Sequence, residues 1–581
     1  MTGSSPRAYD PYPCYDPVGG VVLSGWTTLA EHAARTRLLA VDGPEIAPWD
    51  ELVSQLRREL GERGVAVHAL DAREGMASWE MIVASTSSTE LADDPDFETL
   101  ADASLEDLFV RPVQAERDTD EVTVIFGPGA ALSRHDELWY FDQPKRYAEA
   151  AVGAGAGHNL GQRDMPGNPT LDNPTLDNPT ARRLFYVDWP ILDRHRETIA
   201  PMVSLWIDAQ DADRPTALEA PTLAATAAAL VLRPFRARPV FNTTVWGGHW
   251  GQRQLGLGID QPNSAVGYEL IAPESGVLIG SQAELAVEVP FQLLVSLHPM
   301  EVLGESLHER FGTSFPIRFD YLDTVDGGNL SVHCHPQAQY MREVFGWPYT
   351  QHESYYVMVA GASSHIYLGL REDADIDVFQ ADAEQAERAG RAFDIRRHVQ
   401  IFPAVAHQLY LVPAGTPHGS GVGNVVLEVS ATPYLYSLRF YDWLRRDSQG
   451  RQRAVRTDLA FQNLDCQRQG SRVSADLIPA PRKVRSGVGW HEEVLGELSE
   501  IFFEVRRLEL GPGSQAPEDA AGRFHVLNVV EGAGITITIT STGATVGLAY
   551  AETAVVPASV GAYMVKAWGP KQVRVVKAYV R

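Results

Sequence analysis

GGNLSVHCHPQAQYMREVFGWPYTQHESYYVMVAGASSHIYLG, from Gly327 to Gly369, is the most informative stretch of this chain. It contains His333 and His335, two residues apart in an apolar, strand-like run. Side chains two apart on a strand point to the same face, so we expect both imidazoles to face one way. A second strand-like segment begins at Glu353, and LYLVPAGTPHG later presents His418 just after a turn.

Three histidines and one glutamate at these spacings predict a metal site on His333, His335, Glu353 and His418. Neutral imidazole and carboxylate suit zinc, manganese, iron or nickel, so we expect one divalent metal. The alternative is a set of buried, hydrogen-bonded histidines, and it does not account for all four residues. The interior of a small β-barrel is a suitable place for such a cage.

The same segment carries a family resemblance that extends over about residues 236–581. The order of its motifs resembles that of the class I mannose-6-phosphate isomerases. The motifs that carry the resemblance are FPIRFDYLDTVDGGNLSVHCHP (Phe315 to Pro336), ESYYVM (from Glu353), IYLG (from Ile366), VPAGTPH (to His418), RFYDW (from Arg439) and the triplet Trp246-Gly247-Gly248.

That resemblance implies two β-barrel or β-sandwich cupin domains, the second metal-free, and a zinc enzyme that interconverts an aldose and a ketose phosphate. The expected substrate is a small carbohydrate. By motif, His335, Glu353 and His418 fall on three of the family's metal ligands, and His333 falls on the fourth, a Gln in the family. Positions that match the family's substrate pocket are Trp246, Ser331, Glu428 and Arg439, and Arg445 stands where a basic residue is usual.

Glu428 and Arg439 are the predicted catalytic residues. Aldose–ketose exchange moves a proton between adjacent carbons through an enediol, and a carboxylate near the pocket can carry that proton. We assign this role to Glu428, and we expect Arg439 to stabilise the developing oxyanion or hold an anionic group. The alternative is that the two residues form an ion pair on the surface of a strand.

The chain departs from the family at several positions. With His333, the ligand set becomes three His and one Glu, the usual cupin set, which oxygenases and isomerases of unphosphorylated sugars share. Asp320 and Gln351 stand where the family carries two pocket lysines, so a phosphate would meet a carboxylate instead of a cation. The stretch VSATPYLYSL (residues 429–438) lacks the family's Ser-Asp pair. Two alternatives to an isomerase therefore stay open: an iron or manganese oxygenase, and a binding protein that has lost catalysis.

Residues 1–235 alternate strand-like and helix-like stretches, which predicts an α/β domain with a parallel sheet. Its first strand, turn and helix resemble the opening of a P-loop nucleoside kinase, but Pro48, Trp49 and Asp50 stand where Gly, Lys and Ser/Thr would bind phosphate. We expect a degenerate kinase-like domain without P-loop binding of ATP, or a different α/β domain. The predicted strands are Arg37–Asp42, Val65–Leu70, Glu121–Gly127 and Arg183–Asp188, and Tyr186–His195 is predicted as a packed strand ending in a capped turn.

The rest of the chain divides at about residue 445. Residues 236–445 are predicted to form the metal-binding cupin domain, with a helical insert near 380–396 (ADAEQAERAGRA, from Ala381). Residues 446–581 are predicted to form a linker and the second cupin domain, because strand signals recur there between turns. The tandem repeat GNPTLDNPTLDNPT (residues 167–180) is predicted to be a surface loop.

Charge and cysteine content argue against several classes of partner and site. The 581 residues include 75 acidic and 49 basic side chains, a net charge of −26, so we expect neither a nucleic-acid nor a membrane partner. The three cysteines show no disulfide or zinc-ligand pattern. The sequence shows no signal peptide or membrane-spanning pattern, and we expect a cytoplasmic protein.

Overall fold

A computed structural model describes residues 8–581 apart from 93, 116–120, 163–178, 447–449, 451 and 454. The tandem repeat predicted to be a surface loop lies almost wholly outside the described residues. Within them, the chain is multidomain and largely β-sheet, and its strands form six sheets. No helix in this described part combines the length and the apolar character needed to cross a membrane.

The N-terminal region is built around a seven-stranded sheet. The elements of the region are β1 Cys14–Tyr15, β2 Leu23–Ser24, α1 Trp26–Ala33, β3 Leu38–Asp42, α2 Trp49–Gly61, β4 Ala66–Asp71, α3 Trp79–Thr86, β5 Glu121–Phe126, β6 Glu137–Asp142, α4 Lys145–Gly153, α5 Pro179–Arg183, α6 Trp189–Ile199, β7 Leu205–Asp208, β8 Thr216–Glu219 and α7 Ala220–Leu230. The sheet order is β2-β8-β7-β6-β3-β5-β4, and the five strands from β7 to β4 run parallel. The predicted parallel sheet is confirmed, with three of its strands placed to within a residue.

The four inner parallel strands are apolar runs covered on both faces, whereas the edge strand β4 has exposed residues. All five residues of β3 (LLAVD) are buried, as expected of a strand between two helical layers. Helix α2 buries Trp49, Leu52 and Leu56 on one side, and the Trp49 ring lies 5.7 Å from that of Phe141 on β6. Helical spacing of the apolar residues in α2 therefore fixes the face that covers the sheet.

The turn between β3 and α2 presents acidic groups where a phosphate site would need backbone donors. Pro48 immediately precedes α2 and has no N–H to donate, and Asp50 and Glu51 occupy the first turn of the helix. Glu45 in the same turn forms an ion pair with Arg73, with 2.6 Å between Oε1 and Nη1. These groups disfavour a bound phosphate, while the kinase-like origin of the region stays a prediction.

The strand predicted at Arg183–Asp188 is wrong. Leu184–Asp188 forms a π-helical turn that runs directly into α6, so the strand and capped turn predicted over Tyr186–His195 are wrong as well. Every residue from Leu184 to Asp188 is buried, so the run lacks the alternation that distinguishes a strand from a buried helix. Pro190 does not interrupt the helix, because it lies in the first turn of α6.

The middle of the chain forms two antiparallel sheets, which we call the middle sandwich. The elements of this part are β9 Val240–Asn242, β10 Val266–Leu270, β11 Gly276–Ile279, β12 Val287–Pro290, α8 Phe291–Leu297, α9 Pro299–Leu303, α10 Glu305–Phe311, β13 Ile317–Asp323, β14 Val332–Cys334, α11 Ala338–Glu343, β15 Glu353–Ala360, β16 His365–Leu370, α12 Ile376–Ala389, β17 Val399–Pro403, β18 Leu409–Val412, β19 His418–Ser420, β20 Asn424–Ala431 and β21 Leu438–Tyr441. One sheet has the order β18-β15-β20-β13-β10-β9 and the other β17-β16-β19-β14-β21. Strands β11 and β12 join β1 in a small sheet that ties the N-terminal segment to this part.

The predicted helical insert corresponds to α12, which begins five residues before the predicted Ala381. The carboxylate of Asp375 accepts a hydrogen bond from the Val378 amide at 3.1 Å and so caps the helix. Gly390 follows the helix with φ of 60°, a conformation that favours glycine and ends the helical turn. The earlier start reflects the cap, which the charged composition of the insert did not reveal.

Two further antiparallel sheets form the C-terminal sandwich. The elements of this part are α13 Thr457–Asn463, α14 Ser471–Leu477, β22 Arg482–Gly487, β23 Trp490–Gly496, β24 Phe503–Leu510, β25 Gln515–Asp519, β26 His525–Glu531, β27 Gly534–Ile539, β28 Thr545–Ala549, β29 Thr553–Val556, β30 Ala562–Ala567 and β31 Val573–Val580. The sheet orders are β22-β23-β24-β31-β26-β29 and β25-β30-β27-β28. The Tyr321 hydroxyl of β13 donates to the Ala551 carbonyl at 2.7 Å and joins the two sandwiches. The domain boundaries at residues 235 and 445 stay predictions.

A buried ion cluster lies inside the C-terminal sandwich. Lys577 is 4% exposed, and its ammonium contacts Glu492 at 2.5 Å and also Glu518. Arg485 binds the same two carboxylates. Burial raises the pKa of Glu492, but Lys577 and Arg485 outweigh burial, and the net pKa is lowered. The free energy of folding therefore depends in part on the Lys577 ammonium.

Replacing Lys577 with Met should lower the free energy of unfolding by about 3 kcal/mol at pH 7, because buried carboxylates lose a partner. The pKa of Glu492 is lowered by folding, so its stabilising contribution is present above its unfolded pKa of about 4.3. That contribution is lost as the pH falls through the folded pKa, so the penalty of the variant should shrink in acid. Urea denaturation at several pH values measures both effects.

The control is Lys566→Met, at an exposed position of β30. It should change the free energy of unfolding by less than about 0.5 kcal/mol. Equal losses in the two variants would show that the buried cluster contributes nothing specific.

Candidate metal centre

The predicted metal ligands meet inside the middle sandwich. His333 on β14 pairs directly with His418 on β19 in the five-stranded sheet. His335 lies two residues beyond His333, and Glu353 begins β15 in the opposite, six-stranded sheet. All four side chains are buried. The structure thus brings the four residues together from two facing sheets, on the face that the His-x-His spacing predicts.

In each of the three imidazoles, Nδ1 faces the backbone and Nε2 faces away from it. Their ring centroids lie 4.3 to 5.2 Å apart. Each ring presents Nδ1 to a backbone carbonyl: His333 to Ser331 at 3.0 Å, His335 to Tyr436 at 3.2 Å and His418 to Thr416 at 2.9 Å. An Nδ1–H that donates to a carbonyl selects the neutral tautomer and leaves a lone pair on Nε2.

Two of these Nε2 atoms point at the carboxylate of Glu353. His335 Nε2 lies 2.9 Å from Oε1, and His418 Nε2 lies 3.2 Å from Oε2. In this tautomer the facing atoms are acceptors, and among the described residues neither Nε2 has a hydrogen-bond partner. One nitrogen from each of the three histidines lies within 4.8 Å of the others. Converging buried acceptors are stabilised by a cation among them, so these residues fit a divalent metal.

Electrostatics favour the protonation states that bind a metal. Burial, followed by the charges of His418 and His335, lowers the pKa of His333. Burial also lowers the pKa of His335, although Glu353 opposes it. For Glu353 burial acts upward, but the neighbouring histidines outweigh it and hold the pKa well below its usual value. At neutral pH the pocket therefore offers neutral imidazoles at His333 and His335 and an ionised carboxylate at Glu353.

Arg318 is a site residue that the sequence analysis missed. Its guanidinium contacts Glu428, lies 3.3 Å from Glu353 and donates to the Ser430 hydroxyl at 2.5 Å. Its Nε also lies 3.6 Å from Asp320. The signal was present in β13 (IRFDYLD), because Arg318 and Asp320 are two residues apart and share one face of a buried strand. One positively charged guanidinium thus lies among three carboxyl groups beside the histidines.

Glu428 and Asp320 lie directly opposite each other on neighbouring strands. Burial, followed by Asp320 and Glu353, raises the pKa of Glu428 well above its usual value, against the effect of Arg318. Burial also raises the pKa of Asp320 to about 7. Carboxyl groups whose pKa values are shifted toward neutrality suit proton transfer near pH 7. Sequence analysis singled out Glu428 for this role but treated Asp320 only as a change of charge.

A cavity of about 180 Å3 adjoins these groups. Of the residues predicted for the substrate pocket, Trp246, Ser331 and Arg439 line it, as does Glu428. Arg439 is also the cross-strand neighbour of His333 on β14. Glu428 and Arg439 therefore line the same cavity, and the catalytic roles predicted for them stay predictions.

The structure places Arg445 away from this cavity. Its guanidinium binds Asp442 at 2.7 Å and the carbonyl of Asn329, and among the described residues it is not part of the cavity lining. Arg453, which sequence analysis did not select, lines the cavity and shares Asp442 at 2.7 Å. Arg453 thus adds to the lining a basic group that Arg445 does not supply.

Comparison with known proteins matches the two halves of the chain to different groups. Residues 25–231 match a family model described as a domain of unknown function, DUF8485. A mannose-6-phosphate isomerase of Streptococcus mutans is 28% identical over 306 residues, which are 51% of this chain and 86% of that protein. The chain is thus similar to this enzyme over about half of its length.

Solved structures of similar architecture include two mannose 6-phosphate isomerases. The enzyme from Bacillus subtilis aligns with a TM-score of 0.48 and 18% identity, over 60% of this chain and 100% of that one. A zinc-bound mannose 6-phosphate isomerase aligns with a TM-score of 0.46 and 15% identity, over 60% and 100% of the two chains.

Replacing His335 with Ala should abolish tight metal binding while the fold survives, because the apolar core residues of the two sheets are left unchanged. The loss of affinity should exceed the roughly 100-fold that loss of an outer hydrogen-bond partner causes. Metal content of the purified protein, measured by mass spectrometry after dialysis against limiting zinc, checks this.

The control is His365→Ala, in β16 of the same sandwich and outside the histidine cluster. It should retain the metal content of the unmodified protein. Full metal occupancy of the His335 variant would refute the assignment of the ligands.

Proposed function

We propose that the chain is a metal-dependent isomerase that interconverts an aldose and a ketose, as free sugars or sugar phosphates, through an enediol. One observation carries the proposal: three of the four proposed metal ligands, His333, His335 and Glu353, line the same cavity as two carboxyl groups with raised pKa values. The 28% identity to a mannose-6-phosphate isomerase over 306 residues supports the same reaction class.

The proposed metal ligands are His333, His335, Glu353 and His418. Three nitrogen donors and one oxygen donor are compatible with zinc, which we propose as the native metal, and with manganese, iron or nickel. Once bound, such a metal supplies Lewis acidity that polarises the substrate carbonyl. The protein supplies the buried, pre-oriented donors and the adjoining space for a carbohydrate.

Glu428 is the proposed proton carrier between the two substrate carbons. Its raised pKa lets the carboxyl group hold a proton at a higher pH than an exposed glutamate, so it can carry a proton between the substrate carbons. Asp320 is its partner on the neighbouring strand, and the Arg318 guanidinium lies close to both carboxyl groups. Environments that separate the pKa values of two neighbouring carboxyls also separate their roles as acid and base.

Two arginines have distinct proposed roles. Arg318 is committed to Glu428 and Glu353 by its contacts, so it orients both carboxylates. Arg439 lines the cavity beside His333 and is placed to stabilise negative charge that develops on a substrate oxygen. We propose that Trp246 and Ser331 contact the carbohydrate from the same lining.

A second candidate function is an iron or manganese oxygenase, favoured by the donor set of three His and one Glu. A non-haem iron oxygenase uses imidazole and carboxylate ligands with open coordination positions.

A binding protein without catalysis would retain the ligands but would not need the raised pKa values of Glu428 and Asp320. Oxygen consumption by the iron-loaded protein separates the first of these alternatives from the isomerase.

The test is isomerisation of mannose, fructose and their 6-phosphates by zinc-loaded protein in D2O, followed by NMR. An enediol path should introduce solvent deuterium at the carbon that loses its proton. Glu428→Gln should lower kcat about 100- to 10,000-fold, because the proton carrier is lost, while the metal content stays unchanged.

The matched control is Glu343→Gln, an exposed glutamate on α11, which should leave kcat unchanged. An unchanged kcat in Glu428→Gln would contradict the assignment of the proton carrier. Absence of isomerisation of all four substrates, together with oxygen uptake, would replace the proposed function by the oxygenase.

Substrate charge provides a further prediction. Asp320 and Gln351 line the cavity, and above pH 7 the Asp320 carboxylate is mostly ionised. A carboxylate close to a phosphate costs about 1–3 kcal/mol at an effective dielectric constant near 20. We expect kcat/KM to favour neutral sugars over phosphosugars, and Asp320→Asn to raise the relative kcat/KM of the phosphosugar about tenfold.

The pH dependence and a control sharpen this test. As the pH falls through about 7, Asp320 gains a proton, so the bias against phosphosugars should weaken in the unmodified protein but not in Asp320→Asn. Asp326→Asn, at an exposed position outside the cavity lining, should leave the ratio unchanged. Efficient turnover of mannose 6-phosphate that Asp320→Asn does not alter would show that other groups, such as Arg439 or Arg453, hold the anion.

A further inference from the structure

The segment Thr432–Ser437 (TPYLYS) connects β20 to β21 and belongs to the stretch in which the sequence departs from the isomerase family. Tyr434, Leu435 and Ser437 line the metal cavity. Tyr434 and Leu435 also line a second cavity of about 470 Å3, which the N-terminal residues Phe185, Tyr186 and Trp189 close from the other side. This segment is therefore the wall between the metal cavity and the N-terminal region.

The segment contains a strained residue. Leu435 has φ of 74°, in the left-handed region that favours glycine. A leucine keeps such a conformation only where its surroundings hold it there, and strained residues of this kind cluster at functional sites. The contacts that hold Leu435 therefore bear on the geometry of the cavity wall.

Tyr186 of the N-terminal region supplies one such contact. Its hydroxyl donates to the Leu435 carbonyl at 3.1 Å, and its ring lies 5.5 Å from that of Tyr436. Phe97, also N-terminal, stacks on the Tyr436 ring at 6.4 Å with an angle of 11° between the planes, and its ring lies 6.4 Å from that of Tyr186. Tyr186 and Phe97 thus hold the two wall residues Leu435 and Tyr436 in place.

The wall in turn orients a proposed metal ligand. The carbonyl of Tyr436 accepts the hydrogen bond from His335 Nδ1 at 3.2 Å. Because this bond selects the His335 tautomer and ring angle, it directs Nε2 toward Glu353. Tyr186 acts on the residue next to this carbonyl, so a relaxed Leu435 would displace the acceptor of His335.

We propose that Tyr186 is a positioning residue for the metal centre: by holding Leu435 in its strained conformation, it keeps the Tyr436 carbonyl where it orients His335. The inference rests on the proposed metal site, and it gives the N-terminal region a part in that site. The region then supports the wall of the cavity instead of acting as an independent domain.

The test is the zinc affinity of the full-length Tyr186→Phe variant, measured by competition with a chromogenic chelator. Loss of the hydroxyl should weaken zinc binding about 10- to 100-fold, as loss of an outer hydrogen-bond partner does. Thermal unfolding of the zinc-free proteins, measured separately, reports any general loss of stability. Tyr147→Phe is the control, because its hydroxyl contacts Gln210 at 3.3 Å, away from the wall.

A double variant distinguishes positioning from general destabilisation. Glycine adopts positive φ without strain, so Tyr186→Phe with Leu435→Gly should regain most of the lost zinc affinity. Unchanged affinity in Tyr186→Phe would overturn the proposal, and so would a loss that Leu435→Gly does not restore. Because the readout is zinc binding, absence of isomerase activity leaves this result intact, whereas an unmodified protein that binds no zinc would refute the metal site itself.

Discussion

Buried acceptor atoms that face one another are the constraint on which the rest of this structure depends. The Nδ1 atoms of three histidines face backbone carbonyls, and the Nε2 atoms of His335 and His418 lie beside the Glu353 carboxylate. Such an arrangement is costly without a cation and stable with one. The histidines come from one sheet of the middle sandwich and Glu353 from the other. The packing of the two sheets therefore determines how closely these groups approach.

Charge balance around this centre follows from the same burial. Arg318 is placed among Asp320, Glu353 and Glu428, where it permits three carboxyl groups in the sandwich interior. Since it cannot neutralise all three, the pKa values of Asp320 and Glu428 rise while that of Glu353, beside the histidines, falls. One buried environment thereby shifts the pKa values of the same type of side chain in opposite directions, which is the basis for the different roles proposed for Glu353 and for the pair Asp320 and Glu428.

Strand periodicity predicted that His333 and His335 share a face, because residues two apart on a strand point the same way. Glu353 and His418 were added from a second strand segment and a turn motif, and the binding of a metal by the four residues stays a prediction. His333, His335, Glu353 and His418 meet as their spacing predicts, and the parallel N-terminal sheet is confirmed from its buried apolar strands. Periodicity failed at Leu184–Asp188, where every residue is buried and a helix looks like a strand. Periodicity also could not predict that Arg318 and Arg453 line the cavity or that Tyr186 contacts Leu435. These contacts depend on how segments that are distant in the sequence pack together.

The central claim is that a divalent metal is bound by three histidines and one glutamate in the middle sandwich. Anomalous diffraction at the zinc absorption edge, from crystals of zinc-loaded protein, tests it most directly. The account predicts one strong peak among His333, His335, His418 and Glu353, roughly 2.0–2.2 Å from each ligand atom. A cavity without a peak, or zinc bound only at other residues, would contradict it.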